Sequence, residues 1–190
     1  MSIKELRPSV MRVSEWWKRE KRDPEEWKQT RGEVLKRDNY TCVYCGFRAY
    51  KFMMVNHIGA EDNNDIQNLE TICKPCHSVL HMGVNAIEGY LTVIESTANQ
   101  TDVVRQTRSL IHRLTPWPAL EVKILDQFLT PNGKVYNKEE SITWANKMLD
   151  SIPQNEFRGF LPAGLAVAFH EEGEWQQFPE AAHKWGYRNL

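Results

Sequence analysis

The sequence predicts an α+β protein: a small β-containing module held by cysteines, embedded in a mainly helical chain. Three observations predict it. All four cysteines fall in one stretch, as the pairs Cys42/Cys45 and Cys73/Cys76. Short apolar segments of strand length, such as Phe52-Met53-Met54-Val55 and Leu91-Thr92-Val93-Ile94, lie between the pairs or just after them. Elsewhere, apolar residues recur at helical spacing behind recognisable helix starts. At 190 residues the chain can bury one good core, or one core plus a small appended module. Boundaries are expected at 1–30 for an N-terminal helical arm, 31–95 for the cysteine module and 96–190 for a helical C-terminal region packed on it.

Residues 14–22 read as a short helix carrying Trp16 and Trp17 among basic residues. An amphipathic helix with a solvated face explains that interleaving more simply than base stacking does. A second helix starts at Asp23-Pro24-Glu25-Glu26: Asp caps, Pro suits the first turn, and Glu26 has capping-box spacing. It should run to about Arg37, offering Trp27, Val34 and Leu35 for burial. Residues 40–45 form the first knuckle, and residues 49–58 a strand ending at His57. The polar stretch 59–67 reads as a loop. Residues 69–72 lead into the second knuckle, and Pro75 opens a helix to about Met82. A strand is expected over 89–94.

From Thr101 the pattern turns helical, with Val103, Val104, Leu110, Ile111 and Leu114 on one face. Helices follow over 118–128 and 138–152, separated by the turn Thr130-Pro131-Asn132-Gly133. Beyond Pro153 the pattern is weak, apart from a closing helix over 178–187 with Trp185.

Paired Cys-x-x-Cys spacing is the usual form of a zinc site, with chance pairs or a redox pair as the other readings. Zinc held by Cys42, Cys45, Cys73 and Cys76 would be tetrahedral and closed, and therefore structural. Charge does not advertise nucleic-acid binding. Residues 1–30 hold eight Lys/Arg against six Asp/Glu, residues 31–81 six of each, and residues 82–190 ten against thirteen. A protein that grips bare duplex usually carries a clear basic excess. The N-terminus shows no apolar signal region, and no apolar run approaches a membrane span, so a cytoplasmic location is expected.

The knuckles would also fix a set of polar residues. His77 and His81 stand four apart on a predicted helix and share a face. A divalent cation such as Mg²⁺ or Mn²⁺ could be held by His77, with His81 and Asn56 as further ligands. His57 could then deprotonate water for attack on a phosphodiester, and Asn68 could orient the His57 ring. Each residue also has a plainer role. His81 could lie on a helix surface, His77 could pack on the knuckle, and Asn68 could make a local turn bond.

The ordered set Arg37-Asp38-x-Tyr40-x-Cys42-x-x-Cys45-Gly46, His57, Asn68-Leu69, Cys73-x-x-Cys76-His77 resembles the HNH endonuclease family, a ββα-metal fold. The resemblance covers about residues 31–82. It implies His57 as general base, Asn68 as orienting residue and His77 as catalytic-metal ligand, with His81 at an additional ligand position. Many members carry Asp or His just before the base; here Asn56 stands there, and an amide oxygen is a weaker ligand than a carboxylate for a hard cation. The loop 59–67 also lacks the usual Pro and paired Gly.

A second set, Cys45-Gly46-Phe47-x-Ala49, Val55-Asn56, Asn63-Asn64 and Asn68-Leu69-x-Thr71-x-Cys73, resembles the small HNH-like zinc subunit of type IVB (Dot/Icm) secretion coupling complexes. In that family the fold is an assembly adaptor. Two functions are therefore expected as alternatives. The first is metal-dependent hydrolysis of nucleic acid, DNA rather than RNA. The second is a catalytically silent zinc scaffold that binds partner proteins through its helical parts.

Overall fold

The structure, a computed structural model, describes residues 3–12, 24–60, 63–170 and Trp175. The expected helices over 14–22 and 178–187, with Trp16, Trp17 and Trp185, lie outside the described residues. In chain order the elements are β1 (Ser9–Met11), α1 (Pro24–Arg37), β2 (Met53–His57), a 3-10 turn (Ile66–Asn68), β3 (Leu69–Cys73), α2 (Lys74–Leu80), α3 (Met82–Glu88), β4 (Leu91–Glu95), α4 (Gln100–His112), α5 (Trp117–Phe128), α6 (Lys138–Asp150), β5 (Arg158–Phe160) and β6 (Leu165–Phe169). The mixture is α+β, as the sequence implied.

The strands make three antiparallel pairs. Hairpin β2–β3 sets Asn56 opposite Glu70 and His57 opposite Leu69. The other two pairs join distant parts of the chain: β1 with β5, and β4 with β6. One apolar core runs through the described residues, from Leu35, Ile72 and Val79 beside the cysteines to Val93, Val104, Ile124 and Val167. Trp175 is buried against Phe169, ring edge to ring face at 5.3 Å.

Local chemistry explains the helix limits. Asn99 caps α4 by accepting from Thr101 N at 2.8 Å. Asn137 and Glu140 form a capping box on α6, each side chain accepting from the other's backbone N–H at 2.9 Å. Gly89 ends α3 in the left-handed region at φ 82°.

Several expectations need adjustment. The helix opened by Pro75 stops at Leu80, because His81 turns to φ −117°, ψ 40° and starts α3 on a new axis. Leu114 is not on the buried face of α4. It lies past the helix end with φ 58° and is 63% exposed. Strands β1, β5 and β6 were not foreseen. β5 runs so close to α6 that a Cβ on Gly159 would stand 2.5 Å from Met148 O, so only glycine fits. That close approach places the neighbouring Arg158 against the module.

Candidate metal centre and polar site

The first knuckle turns back because Asn39 and Tyr40 take positive φ and Gly46 follows at 74°. Cys42 N then donates to Phe47 O at 2.7 Å, and Gly46 N to Cys42 O at 2.9 Å. Val43 N donates to Thr71 O at 3.0 Å, which pins the knuckle to β3. Cys73 ends β3, and Cys76 sits in the first turn of α2. The four buried sulfurs lie within 4.8 Å of one another, with Cys45 and Cys73 at 3.6 Å. Among the described residues, this is the one cluster of three or more His, Cys, Asp or Glu ligand atoms gathered so tightly. Four thiolates at this spacing suit a closed tetrahedral ion.

Arg37 and Asp38 bind the helix end to the hairpin. Asp38 accepts two hydrogen bonds from Arg37, at 2.8 and 2.9 Å, and one from Thr71 N at 2.9 Å. Burial alone would raise the Asp38 carboxyl. The Arg37 and Thr71 hydrogen bonds outweigh it and hold the group below its ordinary value. Arg37 also donates to Ile66 O and Leu69 O, at 2.6 and 2.7 Å.

His57 ends β2, only 7% exposed. Its ring stacks near-parallel on Trp27 of α1 at 5.9 Å. Its Nε2 is hydrogen-bonded to Asn64 Oδ1 at 3.0 Å. Asn68 does not bond the ring in this way. Its Oδ1 accepts from Gly59 N at 2.9 Å, and its Nδ2 donates to Ala60 O and Asn63 O at 2.8 and 2.7 Å. It closes the loop that carries Asn64, and so acts on His57 at one remove. In the sequence Asn64 stands only in a polar loop and in the Asn63-Asn64 pair of the second resemblance, with no link to His57.

Asn56 is 3% exposed, and both ends of its amide are engaged. Nδ2 donates to Glu70 Oε1 at 3.0 Å, and Oδ1 accepts from Arg158 Nη2 at 3.4 Å. Glu70, 2% exposed, also accepts from Tyr44 at 2.6 Å and from Lys4 at 2.7 Å. Burial and the Glu70 charge push the Tyr44 phenol far above its ordinary pKa. Arg158 further donates to His57 O and Leu80 O, each at 3.1 Å, and to Ser9 Oγ at 3.4 Å. Neither Glu70 nor Arg158 was a candidate from sequence. Arg158 stands 102 residues from Asn56, and no spacing rule links them.

His77 and His81 come together as expected, with ring centres 4.4 Å apart. Burial, then Arg158, then Lys74 push His77 down to about 4. Burial, then His77, then Arg158 push His81 down to about 3. A permanent cation therefore lies on Asn56 and within electrostatic reach of both histidines. The Asn56 oxygen thus already has a donor, and the same cation stands near the two histidines.

The HNH endonuclease family model matches residues 42–83. Zorya protein ZorE of Escherichia coli is 26% identical over 87 residues, 43% of this chain and 24% of that protein. Type 4 apparatus protein DotN of Legionella pneumophila is 34% identical over 67 residues, 35% of this chain and 31% of that protein. The matched stretches span under a third of either relative. The chain thus carries an HNH domain with a four-cysteine cluster. No described helix is long and apolar enough to cross a membrane.

Proposed function

We propose that this protein is a zinc-stapled HNH scaffold that acts by assembling with partner proteins in the cytoplasm, and not by cutting nucleic acid. One observation carries the reading: the Asn56 oxygen, at the family's metal position, accepts from the Arg158 guanidinium at 3.4 Å. Unit charges 4 Å apart repel by about 4 kcal/mol at an effective dielectric near 20, and a divalent ion doubles that. A resident arginine there works against Mg²⁺ or Mn²⁺ binding. Trp27 over the His57 ring also restricts approach to it. The likeness to DotN, a type 4 apparatus protein, supports an assembly role. Val84 and Ile87, 60% and 56% exposed on one side of α3, offer apolar surface to a partner protein.

Metal-dependent nuclease activity on DNA is the second reading. It is favoured by the His57–Asn64 hydrogen bond, which orients the ring, and by the retained His77–His81 pair. That reading requires Arg158 to leave Asn56. Plasmid nicking with Mg²⁺, Mn²⁺ or Ni²⁺, by wild type and His57→Ala, separates the two. The scaffold reading expects no cleavage above background from either protein. Cleavage by wild type that His57→Ala abolishes, with folding intact, would establish the nuclease.

A further inference from the structure

The cysteine cluster has a neighbour that the HNH module does not supply. Arg108 lies on α4, yet its Nη2 donates to Cys45 Sγ at 3.2 Å and to Cys73 Sγ at 3.5 Å. Its guanidinium carbon stands 4.2 Å from the centre of the Phe47 ring, just past the turn of the same knuckle. From the preceding turn of the same helix, Arg105 Nε donates to the Cys45 carbonyl at 3.2 Å. Two arginines of one helix thus grip one knuckle.

We propose that Arg108 is the charge clamp of the zinc centre, and that it couples zinc occupancy to the docking of α4. The inference rests on the zinc reading of the four cysteines. Zinc with four thiolates carries two net negative charges, here in a buried setting. Such a group needs compensation, and hydrogen bonds to thiolate sulfur are the ordinary form of it. A guanidinium suits the place because the two N–H groups of its Nη2 reach two sulfurs while the ion lies over the Phe47 ring.

The coupling follows from the same charges. With zinc bound, all four sulfurs are thiolates and Arg108 is held. Without zinc, nothing holds the four sulfurs within 4.8 Å of one another, and the two sulfur acceptors of Arg108 lose their fixed places. Arg108 would then be a half-buried cation left against the Phe47 ring. Docking of α4 should loosen. The effect should reach β6 as well, because Gln100 at the start of α4 bonds Val167 in both directions, at 2.8 and 3.0 Å. The zinc site would thereby report its metal state to the C-terminal region, 60 residues and more along the chain.

The test has two arms on the full chain. The first follows zinc release to excess chelator by absorbance, for wild type, Arg108→Lys, Arg108→Met and Arg105→Met. Removing groups that orient or support metal ligands typically costs about ten- to a hundred-fold in metal affinity. Arg108→Met should release zinc at least about tenfold faster than wild type, with Arg108→Lys between them, and Arg105→Met, which loses only a bond to the Cys45 carbonyl, should be affected less than Arg108→Met. The second arm measures amide hydrogen exchange over 100–112 and 165–169 in wild type, zinc-loaded and zinc-stripped, and needs no variant to fold. Protection there should fall when zinc is removed. Equal release rates for wild type and Arg108→Met, or α4 exchange indifferent to zinc, would overturn the clamp. Purified wild type without zinc would refute the zinc assignment itself, a distinguishable failure.

Discussion

Replacing Arg158 with Met removes one charge while keeping a long apolar stem on β5. The guanidinium makes two contacts at 3.1 Å, to His57 O and Leu80 O, and two at 3.4 Å, to Asn56 Oδ1 and Ser9 Oγ. A hydrogen bond from a charged group contributes about 1.5–3 kcal/mol when well formed. The two shorter contacts dominate, and the side chain is only half-buried, so solvent screens part of the gain. The expected loss is about 2–4 kcal/mol, or a fall in Tm of roughly 5–15 °C for a chain of this size. Urea unfolding and calorimetry read it. A second readout is independent of stability. His81 is held down to about 3 by burial, by His77 and by Arg158, so its pKa should rise in the variant, followed by NMR of the ring protons. A stability change under about 0.5 kcal/mol, together with an unmoved His81, would refute the placement of Arg158 among these residues.

Two further outcomes follow from the same network. Asn56→Asp sets a carboxylate against Glu70, whose Oε1 now accepts from the Asn56 amide at 3.0 Å, and beside Arg158. Repulsion between the new carboxylate and Glu70, with the amide donor lost, should outweigh pairing with Arg158, so stability should drop by about 1–3 kcal/mol in urea unfolding, and Arg158 should deny Mn²⁺ any gain in affinity; a more stable protein that binds Mn²⁺ would contradict this. Acid should also destabilise the fold through His81. Its ordinary pKa of 6.5 is lowered to about 3, so the folded state keeps the ring neutral. The stability this confers is full above pH 6.5 and is lost as pH falls toward 3, by at most about 1.4 kcal/mol per pH unit before solvent screening. The slope should be shallower in His81→Asn, measured side by side with wild type.

What was legible in the sequence was local. The cysteine pairs, the hairpin strands around His57 and the helices α1, α5 and α6 follow from spacing and end signals a few residues apart. Strands β1 and β5 are three residues each and pair across most of the chain, so no periodicity marks them. The run Leu165–Phe169 is apolar throughout because both its faces are covered, a pattern without the alternation that marks a half-buried strand. Leu114 fitted a helical face, but Thr115 N bonds back to Leu110 O and the chain turns left-handed there. The site divides in the same way. Cys42, Cys45, Cys73, Cys76, His57, His77 and His81 were readable from a motif. Glu70 was hidden in a strand, Asn64 in a polar loop, and Arg158 arrives only by tertiary folding.

The central claim is that Arg158 takes the place of a catalytic cation at Asn56, His77 and His81. Calorimetric titration of Mn²⁺ into the zinc-loaded protein, beside His77→Ala, tests it most directly. The account predicts no saturable binding in the micromolar to millimolar range, and identical heats for the two proteins. A single stoichiometric Mn²⁺ site in wild type that disappears in His77→Ala would contradict it.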